Sequence, residues 1–271
     1  MLRKTQDEQT KKKITFLDEK ISSLHDELNE LGNMRFAFVA FYVLTLCFIL
    51  FIIILTFVRR ALYTTQFWIY VICFPFYVLM GAISLKSINK LYRKTKESYN
   101  IAKKERDAEK IVQDYLRKNL TEDYKLFENI STGFGDIDAV VVGPTGIYMI
   151  EVKSNSGVIT SNKEKRLLIL EGNPANKNYR EQVKKEMSQL KKYLDNNTGL
   201  NCWINPVLVF PFGSVIKDLK LESDFDNLVL PVLNEKDLLK YVYSNNTKVQ
   251  LTYDQINKIA KAIEDWQEKW N

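Results

Sequence analysis

Gly135-Asp136-Ile137-Asp138-Ala139-Val140-Val141-Val142-Gly143-Pro144-Thr145-Gly146-Ile147-Tyr148-Met149-Ile150-Glu151-Val152-Lys153 reads as a β-hairpin. Two apolar, β-branched runs flank Gly143-Pro144-Thr145-Gly146, a turn of residues that break regular structure. Side chains alternate faces along a strand. Asp136, Asp138, Val140 and Val142 therefore share one face of the first run, and Ile147, Met149, Glu151 and Lys153 one face of the second. Charges end two otherwise core-like strands. Charged groups are rarely buried unless they are paired or ligate a metal. An acid on one strand and Glu-x-Lys on its neighbour frame a hard divalent cation with an ammonium beside it.

The chain on either side supplies partners for this hairpin. Before it, Glu109, Ile111, Val112, Tyr115 and Leu116 give a helix with an apolar face, and Tyr124 to Glu128 a strand. After it, Gly157 to Thr160 and Arg166 to Leu170 read as strands, and Gly172-Asn173-Pro174 breaks the chain. Tyr179 to Leu194 is a long helix with Val183, Met187, Leu190 and Leu194 inward at 3-4 spacing. Val207 to Phe210 and Leu228 to Val232 are apolar strands, and Asn234 to Asp237 has capping chemistry ahead of a helix over Leu238 to Tyr243. A final helix over Thr252 to Trp270 places Ile256, Ile259, Ile263 and Trp266 on one face. This order predicts an α/β domain over 105–271, a mixed sheet with helices on its faces.

Composition narrows the chemistry. The 271 residues fit one sizeable domain and something smaller, and a net charge of +6 is too mild to demand a polyanion. Cys47 and Cys73 lie inside apolar runs and Cys202 stands alone, so no zinc or disulfide spacing exists. His25 is the one histidine, in a charged N-terminal stretch, and reads as a solvated surface residue. An intrachain Ser-His-Asp triad and an HExxH zinc site are thereby excluded. Hydrolysis in this chain must use carboxylates, lysine and a metal.

The N-terminal part has a different character. Over 1–33, Ile14, Leu17, Ile21, Leu24, Leu28 and Leu31 follow alternating 3-4 spacing. Such a seam serves a short coiled coil, and hence a homo-oligomer, or an amphipathic helix packing on another helix of the same chain. Within 34–85, residues 36–58 and about 67–85 carry no charge, and about 20 such residues span a bilayer as a helix. Arg35 and Arg59-Arg60 bracket the first run, Tyr63, Trp68 and Tyr70 suit the headgroup level, and Pro75 is tolerable in a membrane helix. The result is a two-span cell-membrane hairpin. Basic residues precede the first span and follow the second, and the positive-inside rule puts both ends in the cytoplasm. Residues 86–104 form a basic helical linker in which Ile88, Leu91, Thr95, Ser98 and Ala102 continue a loose heptad. From Lys86 to Asn119 there are eleven Lys and Arg against five Asp and Glu. That excess suits anionic lipid headgroups, or a nucleic-acid track.

Ala108-Glu109, Asp136-Ile137-Asp138, Gly146, Glu151-Val152-Lys153, Gly157, Asn173-Pro174 and Gln182 together resemble the nuclease-related domain family, NERD, over roughly Arg106 to Phe210. The Asp138…Glu151-x-Lys153 core, with twelve residues between the acids, also looks like that of the PD-(D/E)xK nuclease superfamily. Ala108 stands where the family has glycine, Ala139 where many members have histidine, and Asn173-Pro174 lies further from Gln182 than is usual. The resemblance implies a restriction-endonuclease-like fold and metal-dependent hydrolysis of DNA or RNA. It implies that Asp138, Glu151 and the Val152 carbonyl ligate Mg²⁺ or Mn²⁺, and that Lys153 positions water or stabilises charge on the phosphate. By the same resemblance Glu109 ligates through water or orients Lys153, and Gln182 holds the water or Lys153. Two alternatives stand beside these roles. Lys153, Glu151 and Asp138 also suit a buried ion network without metal, and the alternative function is a non-catalytic membrane scaffold or nucleic-acid-binding protein. Asp136 reads as a surface or turn acid, and Tyr179, Trp203 and Phe212 as core aromatics.

Overall fold

The computed structural model describes residues 16–58, 65–132, 136–162, 168–175, 177–216, 219–222, 228–244 and 250–269. Of the expected features, Ile14, the Arg59-Arg60 loop with Tyr63, Gly135, Arg166, Leu167 and Trp270 lie outside these residues. The chain divides into two compact units, Met1–Lys103 and Lys104–Asn271.

The first unit holds helix α1, Phe16–Val58, and most of helix α2, Thr65–Asn119. Both are longer than the composition blocks suggested. α1 joins the amphipathic stretch to the first apolar run without interruption. α2 joins the second apolar run, the basic linker and the Glu109 stretch, continuing through Pro75. Both helices are long and apolar enough to cross a membrane. Phe36, Phe41, Phe48, Phe51 and Phe57 are exposed along α1, a surface that suits lipid rather than water.

The amphipathic seam of α1 faces α2 of the same chain. Leu31 is buried, and Thr95 donates a hydrogen bond to Glu27 at 3.2 Å. The Tyr42 ring stacks on Tyr77 with centroids 5.0 Å apart, and its hydroxyl donates to the Val78 carbonyl at 3.1 Å. That ring occupies the space a Cβ on Gly81 would need, its nearest carbon being 2.1 Å away, so only glycine admits the approach. On α2 the expected seam needs one correction. Gly81, Thr95 and Ala102 are buried at sevenfold spacing with Ile88 half-buried, but Leu91 is 47 % exposed. Tyr92 lies on the inner side instead, under the Arg35 guanidinium at 5.4 Å. His25 is exposed as expected, with its ring tilted 5.9 Å from Tyr99.

The second unit is mixed α/β. Its strands are β1 (Lys125–Ser131), β2 (Asp136–Gly143), β3 (Gly146–Val152), β4 (Ile159–Ser161), β5 (Leu168–Leu170), β6 (Asn173–Pro174), β7 (Ile204–Val209), β8 (Leu219–Leu221) and β9 (Leu230–Leu233). Its further helices are α3 (Tyr179–Thr198), α4 (Glu235–Tyr243) and α5 (Tyr253–Lys269). The main sheet has the order β1-β2-β3-β7-β9-β8. β1, β2 and β3 are antiparallel, β3 pairs parallel with β7 and β7 with β9, and β8 returns antiparallel to β9. α3 is the crossover that the parallel β3–β7 pair requires. A second sheet, β4-β5-β6, incorporates Asn173-Pro174 as a short strand where a chain break was expected. β8 was not foreseen, and the Leu228 strand begins at Leu230.

Two apolar layers sandwich the main sheet. On one face Val140, Val142, Ile147 and Met149 pack with Val183, Leu190 and Leu194 of α3 and Ile259, Ile263 and Trp266 of α5. On the other, Ala139, Val141, Tyr148 and Ile150 pack with Ala108, Val112 and Leu116 of α2 and Leu238 and Val242 of α4. Strand alternation thus sends Asp138 and Glu151 to the α3 face, at the end of the hairpin where β2 begins and β3 finishes.

Candidate active site

β3 ends beside its parallel neighbour, where the Lys153 backbone N–H donates to the Val209 carbonyl at 2.8 Å. Carboxyl ends of parallel strands are where open α/β sheets place ligands. Across the hairpin, Asp138 Oδ2 accepts from the Val152 backbone N–H at 2.6 Å. That bond fixes the Asp138 carboxyl against the end of β3. Glu151, only 3 % exposed, receives the Lys153 ammonium on Oε1 at 2.5 Å. Gln182, in the first turns of α3, donates to the same Oε1 at 2.9 Å, and its carbonyl lies 3.4 Å from Lys153 Nζ. The Tyr179 ring covers the ammonium at 5.0 Å.

Of the anticipated residues, Glu151, Lys153 and Gln182 are joined by direct hydrogen bonds, and Asp138 binds the backbone N–H of Val152, between Glu151 and Lys153 in the chain. Glu109 comes from α2, is buried, and meets the Arg106 guanidinium at 3.5 Å. It reaches the others through charge, with Glu151 and Lys153 both acting on it. Asp136 opens β2 half-buried and takes no part in these bonds. Tyr179, expected in the core, packs half-buried against it and also presents its ring to Lys153, whereas Trp203, expected there too, is 62 % exposed.

Two residues escaped the sequence reading. Glu186, one turn beyond Gln182, is buried, and its Oε1 accepts from the Gln182 amide at 3.0 Å. Gln113, one turn beyond Glu109, is buried and donates to the Asp138 carbonyl at 2.9 Å and to Asn129 Oδ1 at 3.1 Å. Asn129 sits on β1 opposite this point with φ 52°, a left-handed conformation that asparagine tolerates better than most residues. Each missed residue stands four places after an expected one, the spacing that shares a helix face.

The cluster holds four carboxyls, Glu109, Asp138, Glu151 and Glu186, against the Arg106 and Lys153 cations. Burial pushes Asp138 well above the usual carboxylate range, with Glu151 and Glu109 adding to it. Burial also pushes Glu186 up to about 8, Glu151 again contributing. Glu109 rises to about 7, chiefly through burial, with Arg106 opposing. Burial disfavours the Lys153 ammonium, but Glu151 and Asp138 outweigh it, so its pKa is raised and it stays charged.

Residues 104–211 match the family model of the nuclease-related domain, NERD. Comparison with curated proteins and with solved structures gave no match. The NERD region runs from within α2 to just past β7 and holds every residue of the cluster. Its core is completed from beyond residue 211, by β8, β9, α4 and α5.

A nuclease-related domain implies a divalent metal in general terms. The donor chemistry of the cluster fits one. Its ligand atoms are carboxylate oxygens, and Glu151 Oε2 is buried with no hydrogen-bond partner among the described residues. Burial is the chief cause of the raised carboxyls and neighbouring carboxyls add to it; a bound divalent ion would oppose both. No group of three or more His, Cys, Asp and Glu among the described residues is placed to hold an ion. Magnesium sites take as few as one or two protein carboxylates, with water and phosphate completing the shell.

Proposed function

We propose that this chain is a membrane-anchored, Mg²⁺- or Mn²⁺-dependent nuclease that hydrolyses phosphodiester bonds of cytoplasmic DNA or RNA. The observation that carries the reading is the bonding of Glu151, Lys153 and Gln182 at the end of the β2–β3 hairpin where Asp138 binds the Val152 backbone N–H, inside the NERD region. Asp138 and Glu151, with the Val152 carbonyl, are the residues that would hold the ion, which when bound supplies an activated water and neutralises charge on the phosphate. Lys153 is the charge that would stabilise negative oxygens on the phosphorus. Gln182 holds Glu151 and Lys153 in one geometry. Glu109 acts on them from the helix side, by charge or through a bridging water. Two apolar helices and basic flanks support anchoring with both ends in the cytoplasm.

The test is cleavage of labelled DNA and RNA by the detergent-solubilised full chain, with Mg²⁺ or Mn²⁺ and then with chelator. Products should vanish with chelator and in Asp138→Asn and Glu151→Gln. A folded wild-type chain that cuts neither nucleic acid with either ion overturns the reading.

One observation favours a second reading, a non-catalytic membrane scaffold. Lys153 already pairs with Glu151, and a buried ion pair is a sufficient structural role for both. A chain that binds nucleic acid without cutting it would support that reading.

A further inference from the structure

We propose that Gln113 and Asn129 are positioning residues for Asp138: β2 releases this acid from both neighbouring strands, and the Gln113 amide fixes where it stands. This rests on the nuclease reading above, in which Asp138 is one of the working acids. It adds residues from α2 and β1 that the hairpin motif does not contain.

The pairing of β2 leaves Asp138 out on both sides. Toward β1 the register passes from Glu128–Ala139 to Ile130–Ile137, with no Asn129–Asp138 pair between them. Toward β3 it stops at Ala139–Ile150, one residue short of Asp138. Asn129 explains the first gap. Its φ of 52° takes it out of the extended conformation, so β1 drops out of the ladder for one residue. Side-chain bonds stand where the backbone ones are missing. Gln113 Nε2 donates to the Asp138 carbonyl at 2.9 Å, and Asp138 Oδ2 accepts from the Val152 N–H at 2.6 Å. Backbone and carboxyl of one residue are thus held by two different elements. Gln113 Nε2 also donates to Asn129 Oδ1 at 3.1 Å, which uses both donors of the amide and fixes its sense. Gln113 is 3 % exposed, so bulk water cannot replace these bonds. A left-handed residue in a strand and a buried amide on a helix are both unfavourable unless their surroundings demand them. Together they free Asp138 from the ladder, keep its carbonyl bonded, and leave its carboxyl against the end of β3.

The test uses the detergent-solubilised full chain. Backbone amide exchange is followed by mass spectrometry with fragmentation to single amides, and turnover of a labelled oligonucleotide with Mn²⁺ is measured alongside. Gln113→Met keeps the bulk and removes both donors. In it the Val152 amide should exchange about tenfold faster, the scale of one weakened hydrogen bond, while Val140 and Val142 keep wild-type rates. The kcat should fall about 100-fold, as a misplaced group near the chemistry costs, with KM unchanged. If Gln113→Met does not fold, Asn129→Gly is read instead. Glycine accepts the left-handed conformation and removes the oxygen that holds the amide, so both readouts should move in the same direction. Exchange that quickens along the whole hairpin, Val152 exchange that does not change, or a kcat that stays at the wild-type value each overturns this inference and leaves the nuclease reading standing. A folded wild type that cuts nothing overturns the nuclease reading, and the exchange rates alone then decide whether Gln113 and Asn129 place Asp138.

Discussion

Lys153 is the residue on which the two readings of the cluster part. Replacing it by methionine keeps most of its bulk and removes the charge, leaving the Glu151 carboxylate buried beside a partner that no longer balances it. Without metal, Lys153→Met should lower stability by about 3–5 kcal/mol, as breaking one side of a buried pair does. If the cluster takes a divalent ion, added Mn²⁺ should restore part of that loss in a thermal melt; no restoration marks a purely structural network. Glu186 sets a pH dependence of opposite feel. Its carboxyl, near 4.5 when unfolded, is pushed up to about 8 when folded, so between those values the folded chain holds a proton that the unfolded chain has lost. Stability should therefore fall as pH rises from about 4.5 to about 8. Glu186→Gln should flatten that slope in metal-free buffer and be more stable than wild type at pH 8, on the order of a few kcal/mol. Parallel slopes in denaturant melts at pH 5 to 8 would refute this. Asp138, Glu151 and Lys153 were legible because they interrupt apolar alternation at the ends of two strands. Glu186 was not, because one acid among the lysines of α3 looks like any solvated helix residue until the packing direction is known.

Among the elements, the hairpin announced itself through two β-branched runs around Gly-Pro-Thr-Gly, and its observed register keeps Gly143 opposite Gly146. The inner face of α3 was equally plain from Val183, Leu190 and Leu194. The helix runs past its expected end at Leu194 to Thr198, where Gly199 closes it in a left-handed cap at φ 65°. The small sheet was harder to read. β4 and β5 fall on the strands anticipated at Gly157 to Thr160 and Arg166 to Leu170, but β6 has two residues, a single period of alternation, and leaves no pattern to find. Helix continuity was also hidden, because α1 and α2 each change composition midway while their backbones do not. The pairing of these two helices makes a crosslinking prediction. With Cys47, Cys73 and Cys202 replaced by alanine, Glu27→Cys with Thr95→Cys should oxidise to an intrachain disulfide, since these side chains touch. The product should migrate as a monomer on a non-reducing gel. A ladder of dimers without the intrachain species would assign the Leu17–Leu31 seam to a second chain.

For the whole molecule, the apolar runs and their basic flanks place the NERD region on the cytoplasmic face in our proposal. Single cysteines introduced between Arg60 and Gln66 should react with a membrane-impermeant maleimide in intact cells, and one at the C-terminal end only after permeabilisation. Reversed labelling would put the catalytic candidate outside the cell and remove cytoplasmic nucleic acid as its substrate. The domain's mixed architecture was legible from the order of its elements. The strand order was not, because pairing between β3 and β7 is a long-range choice that local pattern does not encode.

That parallel pair also sets an order of assembly. Asp138 and the Val152 amide meet across a short turn, a contact that forms as soon as the hairpin closes. Glu151 meets Gln182 only once α3 has docked, and the loop from Ile147 to its partner Ile204 must close to pair β3 with β7. Local loops close faster than long ones, and non-local parallel pairing is slow. On a growing polypeptide, the acidic hairpin is therefore complete before Gln182 and Glu186 leave the ribosome. Until then the two carboxyls lack α3 and its side chains, and the crowding of Glu151 with Glu186 arises only once that helix has docked.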